Sequence, residues 1–264
     1  MAADMAVKAR PVPVAVYSWT GCYVGGTVGT AWGRSDFDWS NITESGTAFA
    51  AGAATALPAA ANARLHSTGF AGGGEVGCNY QTGAFVFGGE ADIQWTDIGV
   101  SRTTTSLGDT TGGPGIVPGA ITESMSSHWL ATFRGRAGFA QDSWLVYATG
   151  GLAVANVSYF DQVCFGALAR VPSCNTAASS GTRTGWVVGG GIEWAVFQNW
   201  SIKAEYLHAD LGHTTNTSIL VPTAGGVNPF PNATINHNHN FTEDVVRIGA
   251  NYKFGWGGPV VAKY

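Results

Sequence analysis

The segment from Val245 to Phe254 constrains the fold most, because its apolar and polar side chains alternate strictly. Apolar residues occupy the even positions, and Arg247, Asn251 and Lys253 lie between them. In an extended strand, successive side chains point to opposite faces. A run of about ten such residues is long enough to cross the hydrocarbon layer as a tilted strand. The pattern therefore predicts a β-strand with one lipid-facing and one polar face.

Similar alternation recurs along the chain and predicts eight antiparallel strands. They lie near residues 19–33, 70–80, 84–96, 127–140, 144–157, 183–195, 200–211 and 243–254. Three connections are short (81–83, 141–143 and 196–199), and four are long (34–69, 97–126, 158–182 and 212–242). Short and long connections alternate, as they do between the periplasmic turns and outer loops of outer-membrane barrels. We therefore expect an all-β fold, an eight-stranded antiparallel transmembrane β-barrel with short periplasmic turns and four long extracellular loops.

The strand pattern divides the chain into one barrel and two tails. We expect the barrel over residues 17–254, an extended periplasmic lead-in over residues 1–16 and a C-terminal extension over residues 255–264. The long loops are rich in Gly, Ser, Thr, Ala and Asn, so we expect them to be mobile. The alanine-rich stretch 47–65 is assigned to a loop, because Gly52 and Pro58 interrupt it.

Composition supports a membrane barrel and excludes several other classes. The 264 residues include 38 glycines but only 13 basic and 17 acidic residues, and they contain no run of eighteen apolar residues. The missing run excludes a transmembrane helix, and the scattered basic residues argue against nucleic acid as a partner. The first sixteen residues lack the features of a secretory signal, so we infer that a cleaved signal preceded this numbering. We expect the protein in the bacterial outer membrane.

The pleat of the predicted strands sends a set of charged side chains into the lumen. When the more apolar alternate positions face lipid, ten charged residues face inward: Glu75, Glu90, Asp92, Arg134, Arg136, Glu193, Lys203, Glu205, Arg247 and Lys253. Five acids then face five bases, and Arg183 at the mouth of the sixth strand is a further candidate. Because an unpaired buried charge is costly, a balanced set suits a lumen plugged by side chains. Eight strands also enclose too little space for a wide pore.

Four cysteines, an even number, are typical of an oxidising compartment. Cys164 and Cys174 lie in one predicted loop and form a candidate disulfide. Cys22 and Cys78 face outward near the periplasmic ends of neighbouring predicted strands, where a second disulfide would fit. The alternative for this second pair is two small apolar thiols in lipid.

Two groups of residues suggest ligand binding only weakly. Gly72, Gly74 and Gly77 have the spacing of a dinucleotide-binding loop, but they lie within a predicted strand with no helix after them. Histidines two apart on one face can share a metal ion. The candidate ligands are His237 and His239 with His208, Asp210 or His213. The asparagines around the first two favour a solvated loop instead, so we predict no metal and no cofactor.

A hydrolytic site is the remaining chemical candidate, because some small outer-membrane barrels are enzymes. Ser126 and His128 lie on one face near an outer rim, where Glu123 or Asp97 could orient the histidine. Many Ser and Thr residues crowd the same predicted loop, which makes such proximity a weak signal. We therefore predict that the protein is not an enzyme.

Several local sequences resemble the small outer-membrane β-barrel proteins of alphaproteobacteria, often labelled a porin family and related in architecture to the OmpA membrane domain. They are Trp19–Gly26, Gln81–Gly88, Tyr147–Ala153, Lys203–Leu207 and Val246–Phe254. The resemblance spans residues 17–264 with gaps at the long loops. It implies an abundant surface protein that supports envelope integrity, with adhesion, pore or ligand-binding roles in some members.

The resemblance also bears on the cysteines and on assembly. Family members usually carry an aromatic residue where Cys22 and Cys78 stand, and replacement at both positions supports a bridge between them. An aromatic-ended last strand is thought to act as an assembly signal for the barrel assembly machinery. Tyr252 and Phe254 match it, but the chain continues to Tyr264, so either Phe254 or Tyr264 ends the signal.

The leading hypothesis is a structural and surface-interaction protein of the outer membrane with a plugged lumen. Its partners would be outer-membrane lipid and the assembly machinery, and lateral packing into homo-oligomers is left open. The alternative is a narrow porin-like channel for small solutes or ions, in which the charged network gates the lumen. A lipid-modifying enzyme is the remote alternative.

Overall fold

The fold is seen in a computed structural model of the chain, which describes residues 17–43, 58–105, 119–168, 171–222 and 234–254. Eight strands account for almost all of them. The strands are β1 (Gly21–Thr43), β2 (Ala63–Thr82), β3 (Phe85–Thr104), β4 (Gly119–Gln141), β5 (Trp144–Leu168), β6 (Val171–Ala195), β7 (Trp200–Pro222) and β8 (Thr234–Lys253). The predicted lead-in and C-terminal extension lie outside the described residues.

The eight strands form a closed antiparallel barrel in sequence order, with β8 paired to β1. Three tight connections join β2 to β3, β4 to β5 and β6 to β7, at residues 83–84, 142–143 and 196–199. Asp142 and Gly83 adopt the left-handed backbone that such turns require. These findings confirm the predicted fold class and strand number. Among the described residues, no helix is long and apolar enough to cross a membrane.

The strands are much longer than predicted, and the prediction of four long loops was wrong over most of their length. Residues 34–43, 97–104, 158–168 and 212–222 continue the strands that precede them. Residues 63–69, 119–126, 171–182 and 234–242 belong to the strands that follow. A single helical turn at residues 58–61 precedes β2, with Asn62 N donating to Pro58 O at 2.9 Å.

The outward-facing side chains divide the barrel into two sections. The lower part of the wall carries exposed apolar residues between two rings of aromatic side chains, and we call it the lipid belt. The ring at its upper edge comprises Trp32, Trp95, Trp129 and Trp186, and the ring at its lower edge comprises Tyr80, Trp144, Trp194, Trp200 and Tyr252. This arrangement is typical of membrane barrels. The strand segments above the upper ring form the outer section.

Alternation continues in the outer section with its polarity reversed. Within the belt, β1 turns Val24, Val28 and Trp32 outward, whereas above it Phe37 and Trp39 are buried inside. Most outward positions above the belt are instead polar or charged, as on the surface of a soluble barrel. The interior accordingly has an apolar cluster above the belt, which includes Phe37, Ile98, Met125, Leu130 and Phe241.

Candidate functional site: the charged lumen

Nine of the ten charged residues predicted to face the lumen form one buried network at the level of the lipid belt. The alternation of each strand places them inward, and each is at most 7% exposed. The nine are Glu75, Glu90, Asp92, Arg134, Arg136, Glu193, Lys203, Glu205 and Arg247. They come from β2, β3, β4, β6, β7 and β8, so the network draws on most of the barrel wall.

Arg134 on β4 is the centre of the network. Its guanidinium lies 2.7 Å from Asp92 Oδ2 and 3.0 Å from Glu205 Oε1, and it also contacts Glu90 Oε1. Its Nε donates to Thr132 Oγ1 at 2.8 Å, and that hydroxyl in turn donates to Asp92 Oδ2 at 2.5 Å. Every face of this cation is therefore occupied by an acceptor.

Arg247 on β8 and Lys203 on β7 link further carboxylates into the network. Arg247 Nη1 lies 3.0 Å from Asp92 Oδ1, and its Nη2 lies 2.6 Å from Glu205 Oε2. Lys203 Nζ lies 2.7 Å from Glu75 Oε2, 3.1 Å from Glu90 Oε1 and 3.6 Å from Glu205 Oε2. These three carboxylates converge closely enough to suggest a metal cage, but the ammonium of Lys203 already lies among them.

Arg136 forms the lower edge of the network with two tyrosines. Its Nη2 lies 2.8 Å from Glu193 Oε2, and its Nη1 donates to Tyr23 Oη at 2.8 Å. The guanidinium also lies 3.9 Å from the ring centroid of Tyr147, which is a cation–π contact. Tyr23 donates to Glu90 Oε2 at 2.5 Å, and Tyr147 donates to Glu205 Oε1 at 2.9 Å. Each tyrosine therefore gives a carboxylate a hydrogen-bond donor in addition to its ion pairs.

Most of these contacts cross the bore. Arg247 on β8 reaches Asp92 on β3, and Arg134 on β4 reaches Glu205 on β7, each pair being three strands apart around the ring. The network has five carboxylates (Glu75, Glu90, Asp92, Glu193, Glu205) and four cations (Arg134, Arg136, Lys203, Arg247), an excess of one carboxylate. The predicted balance of five and five is not reached, because Lys253 lies elsewhere.

Lys253 lies at the periplasmic mouth, where residues before β1 cover the lumen. Its ammonium donates to the backbone oxygen of Ser18 and lies 4.0 Å from the ring centroid of Tyr17. Trp19 is buried beside Leu145 and Tyr147, and its backbone N donates to Gln81 Oε1 at 2.8 Å. The first described residues of the chain therefore close the lower end of the bore.

The outer section contains a second set of buried polar side chains, of which the sequence analysis named only His237, His239 and Glu123, and in other roles. His239 Nε2 lies 2.9 Å from Asp161 Oδ2 across the bore, and both side chains are fully buried. The imidazole stacks on the ring of Tyr159, with centroids 4.3 Å apart. On the neighbouring level, His237 Nε2 lies 2.7 Å from Ser218 Oγ. These residues lie in segments that were predicted to be loops, although their alternation with polar neighbours was visible.

Burial shifts several pKa values in the outer section, which lies above the lipid belt. Burial raises the pKa of Glu123 to about 8, although Arg102 at 3.5 Å partly opposes the shift. Burial also raises the pKa of Glu243 to about 8 and lowers that of His237 to about 4. Each of these groups therefore favours its neutral form inside the barrel.

The predicted metal group does not assemble, and Glu123 does not join the predicted hydrolytic group. His237 and His239 point into the lumen, whereas His208 points outward and pairs with Asp244 at 2.7 Å. His213 is exposed on the outer wall. In the hydrolytic group, Glu123 is buried inside, whereas Asp97 and His128 are exposed outside. The wall separates His237 and His239 from the other metal candidates and Glu123 from Ser126 and His128. Asp97 lies on the same outer face as Ser126 and His128. Arg183 faces the lumen of the outer section and does not join the network at the belt.

Both predicted cysteine pairs are joined by disulfides in the structure. Cys22 on β1 bonds to Cys78 on β2, and Cys164 on β5 bonds to Cys174 on β6. The second pair joins directly opposite residues of two strands, and not two points of a loop as predicted.

The end of β8 carries the residues predicted as an assembly signal. Tyr252 packs edge to face on Phe254, with ring centroids 5.5 Å apart, and both rings are exposed on the outer wall. Phe254 N donates to Cys22 O at 2.9 Å, which continues the junction of β8 with β1. Tyr264 lies outside the described residues.

Comparison with known proteins gives consistent matches. Residues 2–254 match the family described as outer membrane protein beta-barrel domain. A 31 kDa outer-membrane immunogenic protein of Brucella melitensis biotype 1 is 32% identical over 261 residues, which cover 96% of this chain and 93% of that protein. A 22 kDa outer membrane protein of Rhizobium leguminosarum bv. viciae is 28% identical over 145 residues, which cover 55% of this chain and 54% of that protein. Among solved structures, the outer membrane protein OprG from Pseudomonas aeruginosa has a TM-score of 0.42 at 14% identity and covers 90% of this chain and 98% of that chain.

Proposed function

Because the chain belongs to the outer membrane protein beta-barrel domain family, we propose that it is a structural barrel that supports the cell envelope, with a lumen plugged by side chains. The protein is located in the bacterial outer membrane, as its family and its relatives are. In this proposal the functional contacts are made by the outer face of the wall and by the outer section, and the bore does not transport solutes.

The cross-bore network carries the proposal. Arg134 and Arg247 each contact carboxylates from the far wall, and all these side chains are buried. An eight-stranded barrel has an interior that side chains can fill. A passing ion would have to displace paired charges that already satisfy one another, which is costly where water is excluded. Trp19 below and the apolar cluster above support the same proposal, because each adds a further layer across the bore.

The experiment that tests the proposal is single-protein conductance of the refolded barrel in a planar lipid bilayer. Folding is established beforehand by the shift in electrophoretic migration between unheated and heated protein, and heat-denatured protein is the blank. We expect no channel steps from the folded protein. Glu90→Lys, which reverses one buried charge, should weaken folding, whereas Asp36→Lys on the exposed wall is the matched control.

Steady channel steps from the folded wild type would contradict the plugged lumen and favour the second candidate function, a narrow channel. One observation favours that candidate: the network has one more carboxylate than it has cations. A channel built on it should select cations over anions, because the excess charge attracts them. Glu90→Lys would then alter conductance and ion selectivity while leaving the barrel folded.

The partners and the absence of catalysis are also part of the proposal. The exposed apolar side chains of the belt suit outer-membrane lipid, and the exposed rings of Tyr252 and Phe254 suit recognition by the barrel assembly machinery. Lateral packing of barrels remains a proposal that cross-linking in membranes would test. We propose no enzymatic activity, because the relatives are named as outer-membrane proteins and not as enzymes.

A further inference from the structure

One region of the outer wall has no charged side chain at twelve adjacent outward positions. It spans β3, β4, β5 and β6 above the lipid belt, and cross-strand pairing arranges its outward side chains in three rows of four. We call it the neutral panel. Its rows are Thr103, Thr122, Gln162 and Thr176; Ser101, Ser124, Phe160 and Ala178; and Gly99, Ser126, Ser158 and Ser180.

Contact with water does not by itself account for the composition of the neutral panel. Charged residues make up 11% of the chain, so one or two would be expected among twelve positions. The panel has none, although the wall made by β1 and β2 at the same height carries Arg34, Asp36, Asp38 and Arg64. The difference indicates that the neutral panel faces something other than bulk solvent.

The panel combines two kinds of group. Hydroxyl and amide side chains pair across the strands: Ser158 Oγ lies 2.8 Å from Ser180 Oγ, and Gln162 Nε2 donates to Thr176 Oγ1 at 3.1 Å. Phe160 is a partly exposed ring in the central row, flanked by Ser124 and Ala178, whose small side chains leave its face open.

Such a surface matches the chemistry of a neutral sugar. Sugar hydroxyls both donate and accept hydrogen bonds, as the Ser, Thr and Gln side chains do, and the C–H face of a sugar ring packs on an aromatic ring. A phosphate or another anion would instead require the arginines or lysines that this region lacks.

Continuity with the lipid belt identifies where the sugar comes from. Below the panel, Asp97 and His128 are exposed on the outer wall. The same strands then enter the belt, where Leu152 on β5 pairs with Trp186 on β6 at its upper edge. Phe160 is eight residues above Leu152, which places it about 20 Å above the hydrocarbon layer for a strand tilted by about 40°. Ordinary lipid head groups end about 5–8 Å beyond the hydrocarbon layer. Among the lipids around the barrel, a glycolipid with an oligosaccharide head group is the kind that reaches this height.

We propose that the neutral panel binds the neutral saccharide head groups of glycolipids in the outer leaflet. The inference rests on the proposed function as a structural barrel, and it specifies the chemical class of the barrel's lipid partner. Phe160 provides the stacking surface, and the surrounding hydroxyl and amide groups bind the sugar hydroxyls.

The test measures lipid preference in nanodiscs that contain the full chain. The lipid is an equal mixture of a glycolipid with a neutral oligosaccharide head group and a sugar-free lipid with the same acyl chains. After a mild detergent wash, mass spectrometry gives the ratio of the two lipids retained by the protein. We expect the wild type to prefer the glycolipid, and Phe160→Ser to reduce that preference about threefold, which is the size of an aromatic stacking contribution.

Ile219→Ser is the matched control, because Ile219 is an exposed apolar residue on the outer section of β7, on another wall. It should leave the preference unchanged, and both variants should keep the heat-dependent migration of the folded barrel. Equal retention of both lipids by the wild type would overturn the proposal, as would a preference that Phe160→Ser does not alter. Equal binding of free oligosaccharide without its lipid would overturn the glycolipid source. Conductance of the same preparations reports separately on the plugged lumen.

Discussion

The lumen is filled by different chemistry at the lipid belt and in the outer section. At the belt, Arg134 and Arg247 cross the bore to carboxylates, and each makes several charged contacts. In the outer section, an apolar cluster fills the centre, and His239 crosses the bore to pair with Asp161 and to stack on Tyr159. The two levels therefore hold side chains of different chemistry across the bore.

The difference follows from what lies outside the wall. At the belt, the side chains that face lipid are apolar, so the polar residues of each strand point into the lumen. Buried charges there need partners of opposite charge. Arginine suits this position because it stays charged and offers five donors. Above the belt the wall meets water, so the strands turn polar residues outward and can bury an ordinary apolar core. The buried side chains of Glu123, Glu243 and His237 can lie in this apolar interior because each favours its neutral form.

The largest effect should come from removing the central cation of the belt. Arg134→Met leaves Glu90, Asp92 and Glu205 with too few donors, and loss of one partner from a buried ionic network typically costs about 3–5 kcal/mol. Urea unfolding of the refolded barrel in detergent micelles would measure the loss. Arg64→Met, which removes an exposed partner of Asp36, is the control and should leave the midpoint unchanged. An equal fall in the urea midpoint for both variants would contradict the prediction that the buried pairs stabilise the barrel more than the exposed pair does.

A smaller and more local effect should follow from breaking the pair in the outer section. His239→Gln shortens the side chain that reaches Asp161, and an unsatisfied buried acceptor costs about 1–3 kcal/mol. Hydrogen exchange should accelerate in residues 155–164 and 234–243, while peptides from the belt keep their protection. His213→Gln, at an exposed position of the same section, is the control. Faster exchange throughout the barrel would show that the two levels are not independent.

The smallest effect is a pH dependence confined to the outer section. Glu123 and Glu243 have pKa values of about 8 in the barrel against 4.5 when unfolded, so their contribution to stability falls as pH rises from 4.5 to 8. The pKa of His237 is lowered from 6.5 to about 4, so its contribution rises between pH 4 and 6.5 and opposes the carboxyls there. Protection of the outer section should therefore fall most steeply between pH 6.5 and 8.

Hydrogen exchange corrected for its intrinsic pH dependence would measure this trend. Glu123→Gln should flatten part of the slope, because it removes one of the two titrating carboxyls. The opposite trend, with protection rising above pH 6.5, would contradict the burial of these groups. Belt peptides supply the internal control, since their cross-bore contacts involve Arg134 and Arg247, which stay charged over this range.

Alternation in the sequence predicted the strands at the belt and the inward direction of their charges, because lipid enforces a strict division of faces. It failed above the belt, where the same period continues with polarity reversed. In β8, His237, His239 and Phe241 point inward and asparagines point outward. Composition rich in asparagine suggested a loop, although the period of two was present. A search for alternation that allows such a reversal would have found the outer section.

Individual contacts were less accessible to sequence reasoning. The direction of Lys253 follows from the pleat, but its contact with Tyr17 and Ser18 depends on how the residues before β1 fold back under the barrel. Likewise, Tyr23 and Tyr147 occupy inward positions, yet their role in the network depends on the height at which Arg136 crosses the bore. Alternation gives the face of each residue but not its distance from residues on the far wall.

The two disulfides have a consequence for the accuracy of assembly. Cys22 is directly opposite Cys78, and Cys164 is directly opposite Cys174. A slip of one residue between two strands would turn every lumenal side chain of the slipped strand toward lipid, and for β2 this would expose Glu75 to hydrocarbon. Each covalent bond rules out that error for its own pair of strands. In the oxidised barrel, two of the eight strand junctions therefore have a register that is fixed covalently.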